Sequence, residues 1–415
     1  MRPLARCVGA AIVLALCLVG CGPSETGRSR YGPGAALDPA PGAFPDRIIL
    51  TWSGDPATSQ SVTWRTDATV GKAFAEIAPV TAGPHFYKES VRTTAETTRL
   101  RLHRGQACYH AAVFTGLEPG ALYAYRVGSD RGWSEWFHFR TAEGREHPFR
   151  FIYFGDAQNN VFAMWSRVIR AAYRQAPDAR FMIHGGDLVS LGDSDLQWAG
   201  WFRAGAWING MVPSIPAAGN HEYYSRRRDE RTLTRHWQAQ FTLPENGVPG
   251  LEESNYYLDY DGVRIVVLDS NRDLDPQTEW LRRVLSDRPQ RWTIAVFHHP
   301  VYSAAKDRDN PELRALWKPV FDEYGVDLVL QGHDHTYARG TGHQAGDPAA
   351  TGIRGPVYIV SVSGPKMYEL PEDRWMDRAA EEMQLFQVIS VDHDALHYAA
   401  YTVDGALFDE FDIVK

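Results

Sequence analysis

Apolar and polar positions follow two textures along this chain. Between residues 46 and 142 the apolar runs are short and rich in Val, Tyr, Trp and Thr: "RIILTW", "QSVTWRT", "HAAVFTGL", "LYAYRVG" and "WFHFRT". Turn-forming stretches such as "SGDPATS" and "EPGA" separate them. That spacing predicts an all-β sandwich. From residue 148 strands and helices alternate. "FRFIYFGD", "ARFMIHGGD", "GVRIVVLDS", "RWTIAVFHH" and "VDLVLQGHDH" read as strands, while "VFAMWSRVIRAAYRQ", "PQTEWLRRVLS" and "PELRALWKPVFDEYG" have helical spacing. This predicts a layered α/β domain over residues 148–415, its strands largely buried between helices. The tail, from "PVYIVSVSG" through "FQVISVDHDALHYAAYTVDGALFDEFDIVK", alternates with period two and is expected to complete a sheet.

A chain of 415 residues suits two domains. Its net charge of −8, without a basic block, argues against a nucleic-acid backbone as partner. The first residues have a different character. "MRPLAR" carries two arginines, and the apolar run "CVGAAIVLALCLV" is too short to span a bilayer but suits a signal segment over residues 1–20. The following "LVGC" resembles a bacterial lipoprotein box, which implies a lipid on Cys21 and an exported, membrane-anchored protein. Residues 21–45, rich in Gly, Pro and Ser, then read as a flexible tether. Of the four cysteines only Cys108 remains within the folded part, and its alternating segment makes it a buried strand residue.

The strand ends carry the chemistry. "YFGD" ends in Asp156, "HGGD" in Asp187, "AAGNH" in Asn220 and His221, "AVFHHP" in His298 and His299, and "LQGHDH" in His333 and His335. Ligands of open α/β sheets bind outside the carboxyl ends of strands, so these side chains should converge. Singly, each has an ordinary explanation, since a strand-end Asp often caps the next helix. Together they form a donor set of oxygen and imidazole without thiolate, which suits Zn, Fe or Mn. The set is too large for one ion. It suits two ions about 3.5–4 Å apart, the arrangement used in phosphoryl transfer.

The ordered motifs "GD", "GD", "GNHE", "HHP" and "GHDH" resemble those of the metallophosphoesterase (calcineurin-like) superfamily. "TWSGDPATSQSVTWRT" resembles the start of the N-terminal domain of purple acid phosphatases, and "LEPGALYAYRV" is similar to a fibronectin type III strand. The resemblance implies that Asp187 bridges two metals, that Asp156 and His335 hold the first, and that Asn220, His298 and His333 hold the second. It implies that His221 faces substrate and stabilises or protonates the leaving oxygen. Glu222 is expected to accept a hydrogen bond from a histidine or to support its turn. His299 and Tyr302 are expected to line the substrate pocket, with Arg339 a further candidate and His184 in the core. One departure stands out. Purple acid phosphatases continue the second motif as "GDxxY", and that tyrosine colours the enzyme by binding ferric iron; here "GDLVS" puts Ser190 in its place. Other superfamily members use "DxH" at the first motif; here "DAQ" puts Gln158 there. The first metal is left to Gln158, Ser190 or water. The expected activity is metal-dependent hydrolysis of a small phosphoester, as an acid-phosphatase-type monoesterase, with a phosphodiesterase or nucleotidase and a surface binding protein with a relict site as the alternatives. The sandwich is expected beside the mouth of the site or as a spacer.

Overall fold

The structure, a computed structural model, describes residues 40–415 except 104, 228–229, 288–289, 342–354 and 373–374. The signal segment, Cys21 and nearly all of the tether lie outside the described residues.

The first nine strands are β1 (Asp46–Thr51), β2 (Ser59–Asp67), β3 (Phe74–Pro79), β4 (Val91–Thr94), β5 (Glu96–Arg101), β6 (Gln106–Thr115), β7 (Leu122–Ser129), β8 (Gly132–Trp133) and β9 (Phe137–Arg140). They form two sheets, β1-β2-β6-β5 and β4-β3-β7-β8, with β9 paired to β7. Between the sheets lie Leu50, Val62, Trp64, Ala75, Phe114, Tyr125 and Phe139, contributed at alternate positions as period two requires. Cys108 is buried on β6 and unbridged, as a strand cysteine should be.

The second region holds β10 (Phe149–Phe154), α1 (Val161–Gln175), β11 (Met182–His184), α2 (Asp195–Gly205), β12 (Ser214–Pro216), the hairpin β13 (Tyr223–Arg227) and β14 (Glu230–Leu233), and α3 (Arg235–Gln240). There follow β15 (Tyr256–Tyr260), β16 (Val263–Val267), α4 (Leu274–Ser286), β17 (Trp292–Val296), α5 (Pro311–Tyr324), β18 (Leu328–Gln331), β19 (Tyr337–Gly340), β20 (Val357–Val360), β21 (Arg378–Ala380), β22 (Leu385–Val391), β23 (Ala395–Thr402) and β24 (Leu407–Val414). Two sheets result, β12-β11-β10-β22-β23-β24 and β15-β16-β17-β18-β20-β19-β21. The period-two tail therefore completes the first sheet. One core joins them: Phe151, Ile183 and Ile215 from the first sheet share it with Ile265, Ile294 and Leu330 from the second. Tyr153 crosses this layer and donates its hydroxyl to the Gln331 carbonyl at 2.6 Å, so the ends of β10 and β18 are fixed side by side.

Helices cover the outer faces. In α1, Val161, Trp165, Val168, Ile169 and Ala172 form one buried stripe, and Trp165 meets Phe154 edge-on. Pro311 opens α5 and Gly325, in the left-handed region at φ 59°, closes it. Ser194 caps α2 by accepting the Gln197 N–H, a contact worth about 1 kcal/mol.

The sandwich is docked, not merely tethered. Arg47 and Arg65 both reach Asp195 at the start of α2, at 2.8 and 3.2 Å, with both guanidinium side chains almost fully buried. Tyr125 donates to the Gly210 carbonyl, and Leu50 N–H to the Asn209 carbonyl. A spacer would not bury charged partners in this way.

Candidate metal centre

Each ligand follows a strand that stops at the same edge, and glycine precedes several of them because nothing larger fits. A Cβ on Gly332 would collide with Asp156 Oδ1, and one on Gly219 would collide with Asp187 Oδ1. Asp187, His333 and His335 all have positive φ, at 49°, 73° and 46°. Such strain in non-glycine residues persists only where surrounding structure imposes it.

At Asp187 a buried carboxylate imposes it, and at His333 the N–H is held by Asp156 Oδ1 at 2.6 Å. Glu222 accepts the N–H groups of Gly219 (2.8 Å), Asp187 (2.9 Å) and Val189 (3.3 Å). It therefore braces the turns after β11 and β12 against each other, the second of the two roles expected of it. The turn Asn220–Glu222 then presents Asn220 to the centre, while the His221 N–H binds Asp187 Oδ1 at 2.8 Å.

The imidazoles are oriented by carbonyl groups, which can only accept. His298 donates Nδ1–H to Gly185 O at 2.9 Å, and His335 donates Nδ1–H to Lys366 O at 3.0 Å. Both turn Nε2 inward. His298 Nε2 lies 3.2 Å from Asp187 Oδ2 and 3.1 Å from Asn220 Oδ1; His335 Nε2 lies 3.2 Å from Asp156 Oδ2. His333 aims the other nitrogen inward, with Nδ1 3.1 Å from His298 Nε2. Two donor groups emerge, Asp156–Asp187–His335 and Asp187–His298–His333, each with ligand atoms within 4.8 Å of one another, and Asp187 belongs to both.

These donors fit cations. Asp156 Oδ2 is buried and receives no hydrogen bond, and it faces a nitrogen whose proton is committed elsewhere. Burial drives the Asp156 carboxyl up to about 7, with the Asp187 charge adding to the push. Burial disfavours a charged His298, yet Asp187 and Asp156 outweigh it and raise the ring to about 10. A proton on His298 thus answers the same demand for positive charge that a metal ion would meet.

The comparisons with known proteins agree with this geometry. Residues 45–141 match the family described as purple acid phosphatase, N-terminal domain, and residues 149–337 match calcineurin-like phosphoesterase. The chain thus carries a purple acid phosphatase N-terminal domain followed by a calcineurin-like phosphoesterase domain. It is 27% identical over 352 residues to an uncharacterised protein of Mycobacterium tuberculosis, covering 75% of this chain and 65% of that one, less than two thirds of the relative. It is 26% identical over 362 residues to acid phosphatase type 7 of Homo sapiens, covering 78% of each. In fold it resembles a purple acid phosphatase from yellow lupin seeds, with a TM-score of 0.74 at 20% identity over 90% of this chain and 74% of that one. The family works with a binuclear metal centre.

The remaining expected residues fall in different places. The Gln158 amide sits between first-metal donors, its Nε2 2.8 Å from Asp187 Oδ2 and 3.0 Å from His335 Nε2. The Ser190 hydroxyl accepts the Asn159 N–H at 3.0 Å and so joins the loops after β10 and β11. The Ser190 carbonyl accepts His221 Nδ1–H at 2.7 Å, which leaves His221 Nε2 turned to the centre, 3.9 Å from Asp187 Oδ2. His299 packs against His333 with the rings tilted by 52° and their centroids 4.2 Å apart, and its Nδ1 meets Ser270 Oγ at 2.9 Å.

Two further candidates are engaged in packing. Tyr302 stacks on Trp375 and meets Tyr358 edge-on. Arg339 is held by Asp409 at 2.8 Å, far along the sequence on β24, and serves the sheet. His184 lies among Phe154, Trp165 and Trp201 in the core. Three groups near the centre were not singled out from the sequence: Arg308, Lys366 and Tyr368. Arg308 lies in the loop that leads into α5. The "PKMY" segment follows a strand with no pattern to mark it.

Proposed function

We propose that this phosphoesterase hydrolyses phosphomonoesters outside the cytoplasm, anchored through a lipid on Cys21. The observation that carries the reading is the pair of donor groups sharing Asp187, with His221 Nε2 free on the open side. Asp156, Asp187 and His335 would hold one ion, and Asp187, Asn220, His298 and His333 the other. Gln158 now aims Nε2 at Asp187; a turn of its amide would exchange that hydrogen bond for an oxygen offered to the first ion, while Ser190, bound to the Asn159 N–H, takes no part. Bound there, the ions would supply positive charge for the phosphate oxygens and make hydroxide accessible near neutral pH.

The protein's own groups do the rest. Ser190 O fixes the Nδ1–H of His221, so a proton carried on Nε2 points toward the leaving oxygen. With 34% of its side chain exposed, His221 can collect that proton from solvent. His299 forms the wall beside His333 and limits water there. The buried Asp187, fixed by the N–H of His221, holds both donor groups in register.

The metal-loaded protein should be assayed against a monoester, a diester and nucleotides. Faster turnover of the diester would replace the monoesterase reading, and no turnover with any of them would refute hydrolysis. Export and anchoring are tested apart: Cys21→Ser should abolish lipid attachment found by mass spectrometry at the mature N-terminus.

A further inference from the structure

Strand β12 lies at one end of its sheet, with β11 on one side and, among the described residues, no strand on the other. The Ala217 N–H binds His184 O on β11, so the carbonyls of Pro216 and Ala218 face the open side. An edge strand leaves such groups without ladder partners. Here side chains from the second sheet take them. Tyr256, on β15, donates its hydroxyl to Pro216 O at 2.8 Å. Asn271, in the loop after β16, donates Nδ2–H to Ala218 O at 3.0 Å.

The second tie sits closer to the chemistry, because Ala218 leads into the turn that presents Asn220 and His221. Asn271 Nδ2 also donates to Asp269 Oδ1 at 2.9 Å, and the Asn271 backbone N–H donates to the same oxygen at 3.0 Å. Both partners of the amide nitrogen can only accept, which fixes the orientation of the amide. The other oxygen of Asp269 accepts the hydroxyl of Tyr223, the residue that closes the turn. One fully buried carboxylate thus reaches both ends of the turn, Ala218 through Asn271 and Tyr223 directly. It is anchored from behind: Gln277 on α4 accepts the Asp269 N–H and donates to the Asp269 carbonyl, both at 2.8 Å. The same loop also holds the segment after β17, where Ser270 Oγ accepts the His299 N–H at 2.9 Å.

We infer that Asp269 and Asn271 are positioning residues for the second metal site. The ligands of that site come from both sheets: Asn220 follows β12, whereas His298 and His333 follow β17 and β18. Glu222 ties the Asn220 turn to the loop after β11 through Asp187 and Val189. Asp269 and Asn271 tie it to the second sheet, and so set where Asn220 stands against the two imidazoles. None of the residues assigned to the first ion lies on this turn. The pair therefore acts on the second ion and, through the same turn, on the aim of His221. The inference rests on the two-ion centre of the proposed function, not on the ester that is cleaved.

The test compares the full chain with Tyr223→Phe, Asn271→Ala and a control, Tyr256→Phe. The control breaks a hydrogen bond of the same kind, between the same sheets, but farther from the turn. The two ions are titrated separately with zinc and a chelator. Tyr223→Phe and Asn271→Ala should weaken the second ion about 10- to 100-fold and leave the first, the usual range for groups that support a metal ligand. With both sites filled by excess zinc, kcat should fall while KM stays. Tyr256→Phe should lower the melting temperature and leave the second ion and kcat alone. In the metal-free protein, the Gly219 and His221 amides should exchange their hydrogens faster in Tyr223→Phe and Asn271→Ala than in the control. Equal weakening of both ions, the same losses in Tyr256→Phe, or unaltered amide exchange in Tyr223→Phe and Asn271→Ala would each overturn the inference. Hydrolysis by the unchanged chain is measured alongside: a chain that binds two ions but cleaves no ester defeats the proposed function and leaves the positioning role standing.

Discussion

The two halves of the centre share Asp187 and little else in character. On the first side Asp156, Gln158 and His335 are all at most 1% exposed, and the Gln158 amide spans the gap between donors. On the second side His298 is as buried as these, but Asn220, His221, His299 and His333 are only half-buried, and Arg308 reaches solvent. One half is closed on every side; the other opens where a substrate would enter. Closure in low dielectric strengthens every interaction with a bound cation, while openness leaves room for exchange. The difference assigns holding to one half and turnover to the other.

The largest effect should come from the residue common to both. Asp187→Ala removes a ligand from each site and also the acceptor for the His221 N–H and the Gln158 amide. Metal analysis should fall from two ions toward none, with activity lost. A variant that keeps both ions and full activity would show that the halves do not meet at Asp187.

His221→Ala should act on the open half alone. The hydrogen bond to Asp187 comes from the His221 backbone N–H, which alanine keeps, and the ring Nε2 lies 3.9 Å from the carboxylate, so both ions should remain. Turnover should fall on the order of 10²–10⁴-fold, the usual contribution of a positioned acid or base. Loss of metal in place of that kinetic loss would make His221 a ligand.

Much of this contrast was legible in the sequence, because strand ends bring chemistry to one edge and the motifs lie on those ends. The six principal donors all occupy such positions, and the structure gathers them. What sequence could not show were partners far along the chain. Tyr302 and Arg339 follow strands as pocket residues do, but Trp375 takes the ring of one and Asp409 the charge of the other. Arg308, Lys366 and Tyr368 lie in loops without periodicity, so nothing local distinguishes them from other polar turn residues. The docked sandwich was hidden for the same reason: Arg47 and Arg65 read as ordinary strand cations until Asp195 is placed between them.

Gln158→Ala probes the closed half. Removing the amide takes away the proposed neutral ligand, whose Nε2 donates to Asp187 until it turns. The first ion should bind roughly 10- to 100-fold more weakly, as when groups supporting a metal site are removed. The second ion should be unaffected when the two are titrated separately with a chelator. Equal loss of both would mean that Gln158 serves the bridge and not the first site.

The smallest effect is spectroscopic and asks what completes the closed half. In purple acid phosphatases a tyrosinate on ferric iron gives the colour. Here Ser190 stands at that position, and its hydroxyl, bound to the Asn159 N–H, has no aromatic orbital to offer. The nearby Tyr223 is committed too, donating its hydroxyl to the buried carboxylate of Asp269. Burial first, and then the Asp269 charge, push its phenol far above the ordinary range, which opposes formation of a phenolate. The space between the first donors is filled by the Gln158 amide. Iron-loaded, active protein should therefore show no strong visible band, and Gln158→Tyr is the substitution best placed to create one. A strong band in the unchanged protein that vanishes on Tyr224→Phe would show that the closed half recruits a phenolate across the turn, and that its contrast with the open half is one of ligand type as well as burial.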